Sequence, residues 1–216
     1  MYNTWQGLMV MDSVFNIDFI KQKKLVSVIS EFSNYKNIVL AMRSQQNTII
    51  LYNEFDYSKK RKKILKSLSK TNAFNYFAVE NIDSTWYLYK EDNIYLSIIF
   101  ALLKRPEILV INDLLTWLSP ERKEKIFAYA SGNNISIINL TSDVEEIMYT
   151  NYLIVLGMNS VELEGNTLDV LKDEKKLCNL GFNLPFYFDL SLQLNYYNVL
   201  NDIYSSKETL ESAIWK

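Results

Sequence analysis

The chain has no histidine, one cysteine, three prolines and five glycines among 216 residues. Without an imidazole, every mechanism that needs a histidine base or a histidine metal ligand is excluded. The lone thiol, Cys178, excludes an intramolecular disulfide, and no charged-apolar-cleavage pattern follows Met1, so a reducing cytoplasm is the expected compartment. The scarcity of glycine rules out a Gly-rich loop of any kind, and no linker or internal repeat is visible. The longest apolar run, near Ile94 to Leu103, is too short to span a bilayer. A formal charge of −2 gives no general attraction to nucleic acid.

What is present is enough apolar side chain, 49% of residues, to bury a full core in one domain with a small appendage. Short runs rich in β-branched residues alternate with longer amphipathic ones, the pattern of a mostly parallel sheet flanked by helices. The expected strands are LVSVI, TIILY, ILVI, ISIIN and YLIVL. Between ILVI and ISIIN lies SPERKEKIFAYA, where Ser119 can cap a helix, Pro120 suits its first turn, and Ile126 and Phe127 point inward. That makes a strand-helix-strand unit.

The stretch from Ser27 to Ala41, SVISEFSNYKNIVLA, has the order of a phosphate-binding loop: strand, polar residues, one lysine, apolar helix start. Where G-x-x-x-x-G-K-[ST] is expected, the chain reads Ser30 to Asn37, with Ser33 inside the loop and Tyr35 and Lys36 near its end.

Taken segment by segment, the chain resembles ATP-binding cassette (ABC) ATPases. KRPEILVINDLLTWLSPERKEKI looks like their Walker B and D-loop region, ISIINLTSDVEEI like the H-loop strand and following helix, and YLIVLGMNSVELEGNTLDVL like the final strands and helix. LGFNLPFYFDLSLQL is similar to the C-terminal extension of ATPase subunits from energy-coupling factor (ECF) transporters. The resemblance implies a P-loop NTPase-like sheet over residues 1–177, a much shortened helical subdomain, and a C-terminal helical extension at 178–216 serving dimerisation.

It also implies what each departure removes. Tyr35 stands at the loop glycine before the lysine; in a left-handed conformation it would cost about 1–2 kcal/mol, and its ring would compete with phosphates, so a remodelled loop is expected. Lys36 is read as a solvated helix end, and Asn37 replaces the magnesium-contacting hydroxyl. Asn112 replaces the Walker B aspartate, Asp113 the glutamate that orients attacking water, Ser142 the histidine at the γ-phosphate, and Ser119 the D-loop aspartate.

Leu88, Tyr89, Lys90, Glu91 and Asp92 fall where the LSGGQ signature belongs. One carboxylate facing one phosphate charge at about 4 Å, with an effective dielectric of about 20, is unfavourable by roughly 4 kcal/mol, offset in part by Lys90 if it lies nearby. Equally, YKED can cap a helix beginning near Asn93. Because ABC sites are composite, a chain with both P-loop and signature altered would damage both sites of a heterodimer.

Between Lys36 and Leu88 the chain is far shorter than the family pattern, and SKKRKKILKSLSKTNAF occupies that interval. It reads as a solvated helix whose stripe of Ile64, Leu65 and Leu68 covers the sheet; a membrane-surface or nucleic-acid patch is the alternative. In LSLQLNYYNVLNDIY, residues Leu192, Tyr196, Val199, Leu200 and Ile203 recur at helical spacing and form one expected apolar-aromatic face. Ser205 and Glu208 form a capping-box pattern for a further helix ending beside Trp215, and Tyr196, Tyr197 and Trp215 are the expected interface anchors.

The resulting expectation is a noncatalytic, ABC-ATPase-like protein acting through protein-protein contact, with no cofactor, no metal site and no nucleic acid. Its partner would be itself or an intact ABC ATPase paralogue, with ECF transporter components, at the inner membrane face only through that partner. Two alternatives stand beside it: a weak ATP- and Mg-binding ATPase subunit using Lys36 and Asp113, and a basic-patch binding module.

Overall fold

A computed structural model describes residues 19, 22–30, 35–52, 65–66, 69, 71–79, 90–157 and 160–215. Five strands, β1 (Leu25–Ser30), β2 (Thr48–Leu51), β3 (Ile108–Asn112), β4 (Ser136–Thr141) and β5 (Tyr152–Leu156), lie in the order β2-β3-β4-β1-β5, all parallel. A sixth, β6 (Val161–Asn166), pairs antiparallel with β5 at the edge. The five strands expected from β-branched content coincide with β1 to β5 to within a residue or two. The reason is burial on both faces: β4 is buried at every position and β1 at every position after the first, so apolar residues run on without alternating.

Register fixes which residues share a face. On one face Val26, Val28, Val110, Ile138 and Ile154 meet α1 (Lys36–Arg43) through Ile38, Val39 and Met42. On the other, Leu109, Ile111 and Ile137 are covered by α3 (Lys90–Leu103) and α4 (Pro120–Gly132), with Phe77 at the end of the short α2 (Ala73–Tyr76). Ile126 and Phe127 do point inward, at 0% and 5% exposure.

Farther along that second face, Ile29, Leu153 and Val155 are covered by α5 (Thr167–Leu171), α6 (Glu174–Asn179) and α7 (Phe186–Tyr196) through Leu171, Leu177 and Phe188. Between the two apolar clusters runs a buried polar seam: Ser27 and Asn139 on adjacent strands, with Thr150 and Glu146 above them. Thr150 Oγ1 hydrogen-bonds Ser27 Oγ at 2.8 Å, Asn139 Nδ2 donates to Glu146 Oε2 at 3.4 Å, and Lys123 Nζ of α4 reaches Glu146 Oε1 at 3.5 Å. The 3-10 segment Val144–Tyr149 that carries Glu146 thus sits as a bridge across the sheet.

Three local expectations are corrected. Ser119 occupies the cap position of α4 ahead of Pro120, but its side chain makes no capping hydrogen bond. The last helix, α8 (Lys207–Ile214), is capped by Ser206, whose hydroxyl accepts from Thr209 N–H, one residue later than the Ser205/Glu208 pattern predicts. The single helical face from Leu192 to Ile203 does not exist, because α7 stops at Tyr196. Asn198 takes a left-handed φ of 56°, and the N–H groups of Asn198 and Val199 close back on Asn195 and Leu194 carbonyls, a Schellman ending that turns the chain.

Candidate functional site

The phosphate-loop helix of the sequence reading is α1, and the residue before it decides the local geometry. Tyr35 sits at φ −82°, ψ 0°, in right-handed space, so the left-handed strain is absent at this residue; residues 31–34 lie outside the described residues. Its ring is 3% exposed and packs with Val26, Val28, Ile38 and Leu140. Its hydroxyl accepts from the Ser30 N–H at 3.2 Å and donates to the Thr141 carbonyl at 2.5 Å, bridging the ends of β1 and β4. Burial, reinforced by the Asp113 carboxylate, pushes the phenol pKa far above the usual tyrosine range.

Beside it a cleft of about 380 Å³ is lined by Lys36, Arg43, Tyr52, Asn112 and Asp113 together with the Tyr35 edge. Lys36 is exposed at the start of α1, and Arg43 lies over the Tyr52 ring, 5.4 Å from its centroid. Asn112 ends β3 with its side-chain oxygen buried and, among the described residues, without a hydrogen-bond partner. Asp113 follows at φ 50°, its N–H donating to the Leu140 carbonyl. Its Oδ1 accepts from the Ser142 N–H at 3.3 Å, joining two positions singled out in sequence. Burial raises the Asp113 pKa and the Ser142 hydrogen bonds oppose that rise. Asn37 is the second residue of α1; Ser33, Leu88 and Tyr89 lie outside the described residues, as does Lys59 to Lys70 apart from Leu65, Lys66 and Ser69.

At the signature position the decisive residue is one that sequence reasoning missed. Arg122, on the first turn of α4, binds Asp92 Oδ1 at 2.7 Å and Glu91 Oε1 at 3.1 Å, with its guanidinium 4.7 Å from the Tyr95 ring centroid. Glu91 also accepts from the Ser119 N–H at 3.0 Å, which ties together the two segments that the resemblance reads as D-loop and signature. Lys90 does not offset these carboxylates; its ammonium lies over the Trp117 ring instead. The helix is already formed at Lys90, ahead of Asn93, so both acids lie in the first turn of the described helix, where the dipole favours them. Arg122 left no local signal, because its partners are about thirty positions away in sequence.

The proposed interface residues separate into two groups. Leu192 and Leu200 are buried at 5% and 8% exposure, and Ile203 packs against the apolar cluster on β1 and β5, so these three are taken up by contacts within the chain. Tyr196, Tyr197 and Trp215 are exposed at 61%, 78% and 85%, as is Phe186 at 61%. A second missed residue, Glu145, accepts the Phe186 N–H at 2.7 Å and so caps α7 from the bridge segment, where Pro185 at the cap position supplies no side-chain acceptor.

The chain has a mostly parallel six-stranded sheet with helices on both faces, a fold it shares with ABC ATPase domains. Solved structures agree. The chain is similar to cbiO1 from Clostridium perfringens, part of the ABC transporter complex cbiONQ, with a TM-score of 0.53 and 16% identity over 76% of this chain and 85% of that one. It is similar also to a nucleotide-free ATP-binding cassette from an ABC transporter, with a TM-score of 0.56 and 10% identity over 74% and 88% of the two chains. Among curated proteins it resembles the energy-coupling factor transporter ATP-binding protein EcfA1 of Staphylococcus epidermidis, 28% identical over 100 residues, which are 44% of this chain and 37% of that protein. EcfA1 of Staphylococcus aureus is 25% identical over the same shares. In these matches the chain spans 37% of the relatives' length. No family model matches the chain. Among the described residues, no helix is long and apolar enough to cross a membrane.

Proposed function

We propose that the chain is a noncatalytic, ABC-ATPase-like protein that acts as a structural or regulatory subunit through protein-protein contact, beside an ECF-type transporter. The observation that carries this reading is the Tyr35 bridge. A ring buried in the core, with its hydroxyl joining Ser30 N–H to the Thr141 carbonyl, stands where the resemblance puts a phosphate-loop glycine. Glu91 and Asp92, bound within the chain to Arg122, support it further, because they spend the signature segment on intrachain contacts.

The residues present do not fit Mg-ATP. Asn112 puts a neutral amide, not a carboxylate, at the end of β3 where magnesium would need charge. Asp113, the carboxylate among the described residues of the cleft, already accepts the Ser142 N–H, and burial raises its pKa against that hydrogen bond. The partner is a second copy or an intact ABC ATPase paralogue, met through the exposed rings of the 178–216 extension, and the protein reaches the inner membrane face only through that partner.

Calorimetry with Mg-ATP tests the reading: no binding is expected at micromolar concentration, and a micromolar Kd weakened by Lys36→Ala overturns it. One observation favours the alternative of a weak ATPase subunit, namely that Lys36, Asn112 and Asp113 do line a single cleft. Hydrolysis abolished by Asp113→Ala would establish that alternative.

A further inference from the structure

A second hollow, of about 590 Å³, opens at the other end of β3, between α2, the last turn of α3 and the end of α4. Asn112 and Asp113 leave β3 at the first cleft, whereas Lys104 and Arg105 precede β3 at this one, so the two hollows stand roughly 15 Å or more apart. The volume lies within the range of small-molecule sites, about 300–1,000 Å³.

One wall is aromatic and fixed. Tyr76, Phe100 and Tyr129 line it. Tyr76 and Tyr129 are 5.6 Å apart between centroids, and both rest on Phe77, at 4.9 and 5.0 Å. Phe77 is 1% exposed and meets Tyr95 edge-on, so the wall is anchored in the core before any ligand arrives. The rim is cationic. The chain leaves α3 in a tight turn, Lys104 N–H to the Ala101 carbonyl and Arg105 N–H to the Leu102 carbonyl, which puts two consecutive cations at the mouth. Lys104 Nζ lies 4.8 Å from the Phe100 ring centroid. Among the described residues neither cation forms an ion pair and no carboxylate lines the hollow.

The negative end of α3 by itself favours cations at this turn. It does not account for a braced pair of rings with Phe100 beside them, nor for two cations that have no counter-ion among the described residues. We propose that this hollow is a binding site for a small aromatic carboxylate, its ring system stacked on the Tyr76, Phe100 and Tyr129 wall and its carboxylate held by Lys104 and Arg105. The site is independent of the nucleotide question, since it shares no residue with the cleft at Lys36.

The test uses the full chain and 2-naphthoate as probe, followed by calorimetry. 2-Naphthoate is expected to bind, and 2-naphthamide, with the same rings and no charge, to bind about tenfold more weakly or worse. Lys104→Ala and Arg105→Ala, both at exposed positions, are each expected to weaken naphthoate about tenfold with an unchanged circular dichroism spectrum, whereas Lys172→Ala, an equal loss of charge elsewhere, leaves the affinity alone. Absence of naphthoate binding, equal affinity for the amide, or equal weakening by Lys172→Ala would each overturn the proposal.

Discussion

The Tyr35 hydroxyl lies 2.5 Å from the Thr141 carbonyl oxygen, so the residue that opens α1 is fastened to the last residue of β4. Two strand ends that an anion-binding loop would leave open are thereby closed by a side chain. The phenol also satisfies the Ser30 N–H, and both backbone groups are buried, which makes the contact structural as well as obstructive.

Tyr35→Phe keeps the ring and strands both backbone groups, so it is expected to destabilise the fold by about 1–3 kcal/mol in urea unfolding. An alkaline signature accompanies it. Tyrosine ionises near pH 10 when unperturbed, and burial raises the folded-state pKa of Tyr35, Tyr95 and Tyr149. The fold therefore holds protons that the unfolded chain releases, and stability present below pH 10 falls as pH rises beyond it. The fall should be shallower in Tyr35→Phe; an identical slope would show that Tyr35 ionises in the fold as readily as in the unfolded chain.

Arg122→Ala leaves Glu91 and Asp92 without their shared cation and Tyr95 without its partner above the ring. A loss of about 1–3 kcal/mol is expected, read as a lower urea midpoint. Arg122→Lys should recover only part of it, because one ammonium cannot reproduce the two-pronged contact. Full rescue by lysine would mean that charge alone matters here.

The strands were legible because β1, β3, β4 and β5 are buried on both faces and so are written as mainly apolar runs, broken only by the seam residues Ser27 and Asn139 and by polar strand ends. The site was half legible. Asp113 and Ser142 were found by their order along the chain and do meet. The Arg122 and Glu145 contacts were not legible, since each is made to an element far away in sequence. The extension shows why spacing alone misleads. Leu192 to Ile203 kept helical periodicity, yet Asn198, a residue that tolerates left-handed backbone, ends the helix, leaving Leu200 buried and Ile203 against the core outside it.

That ending sharpens the interface prediction. Leu200→Ala now belongs to folding: with its side chain buried, it should cost about 2–5 kcal/mol. Tyr196→Ala combined with Tyr197→Ala touches exposed rings only and should change stability by about 0.5 kcal/mol or less per site while abolishing association in sedimentation velocity. Association unaffected by the double tyrosine variant would move the partner surface away from α7. Glu145→Ala lies between the two cases, since it removes the cap of α7 and should cost about 1 kcal/mol with a partial loss of association.

The polar seam gives the last prediction. Glu146 is 0% exposed and Lys123 is 8% exposed, yet their charges stand 3.5 Å apart, a loose distance for a buried pair, with Asn139 adding one long hydrogen bond. Two desolvated charges at that separation offset one another without much surplus, so the pair as a whole contributes little net stability. Each member alone is a different matter. Lys123→Met leaves a buried carboxylate with only an amide for company, and Glu146→Leu leaves an ammonium facing an apolar layer; each is expected to destabilise by about 3–5 kcal/mol. The double variant Lys123→Met, Glu146→Leu removes both charges and fills the seam between the two apolar clusters, so it should return to within about 1 kcal/mol of the parent or exceed it. Urea unfolding of the four proteins closes the cycle. Additive losses in the double variant would show that the two side chains are not coupled, and that the seam is held by Ser27, Thr150 and Asn139 without them.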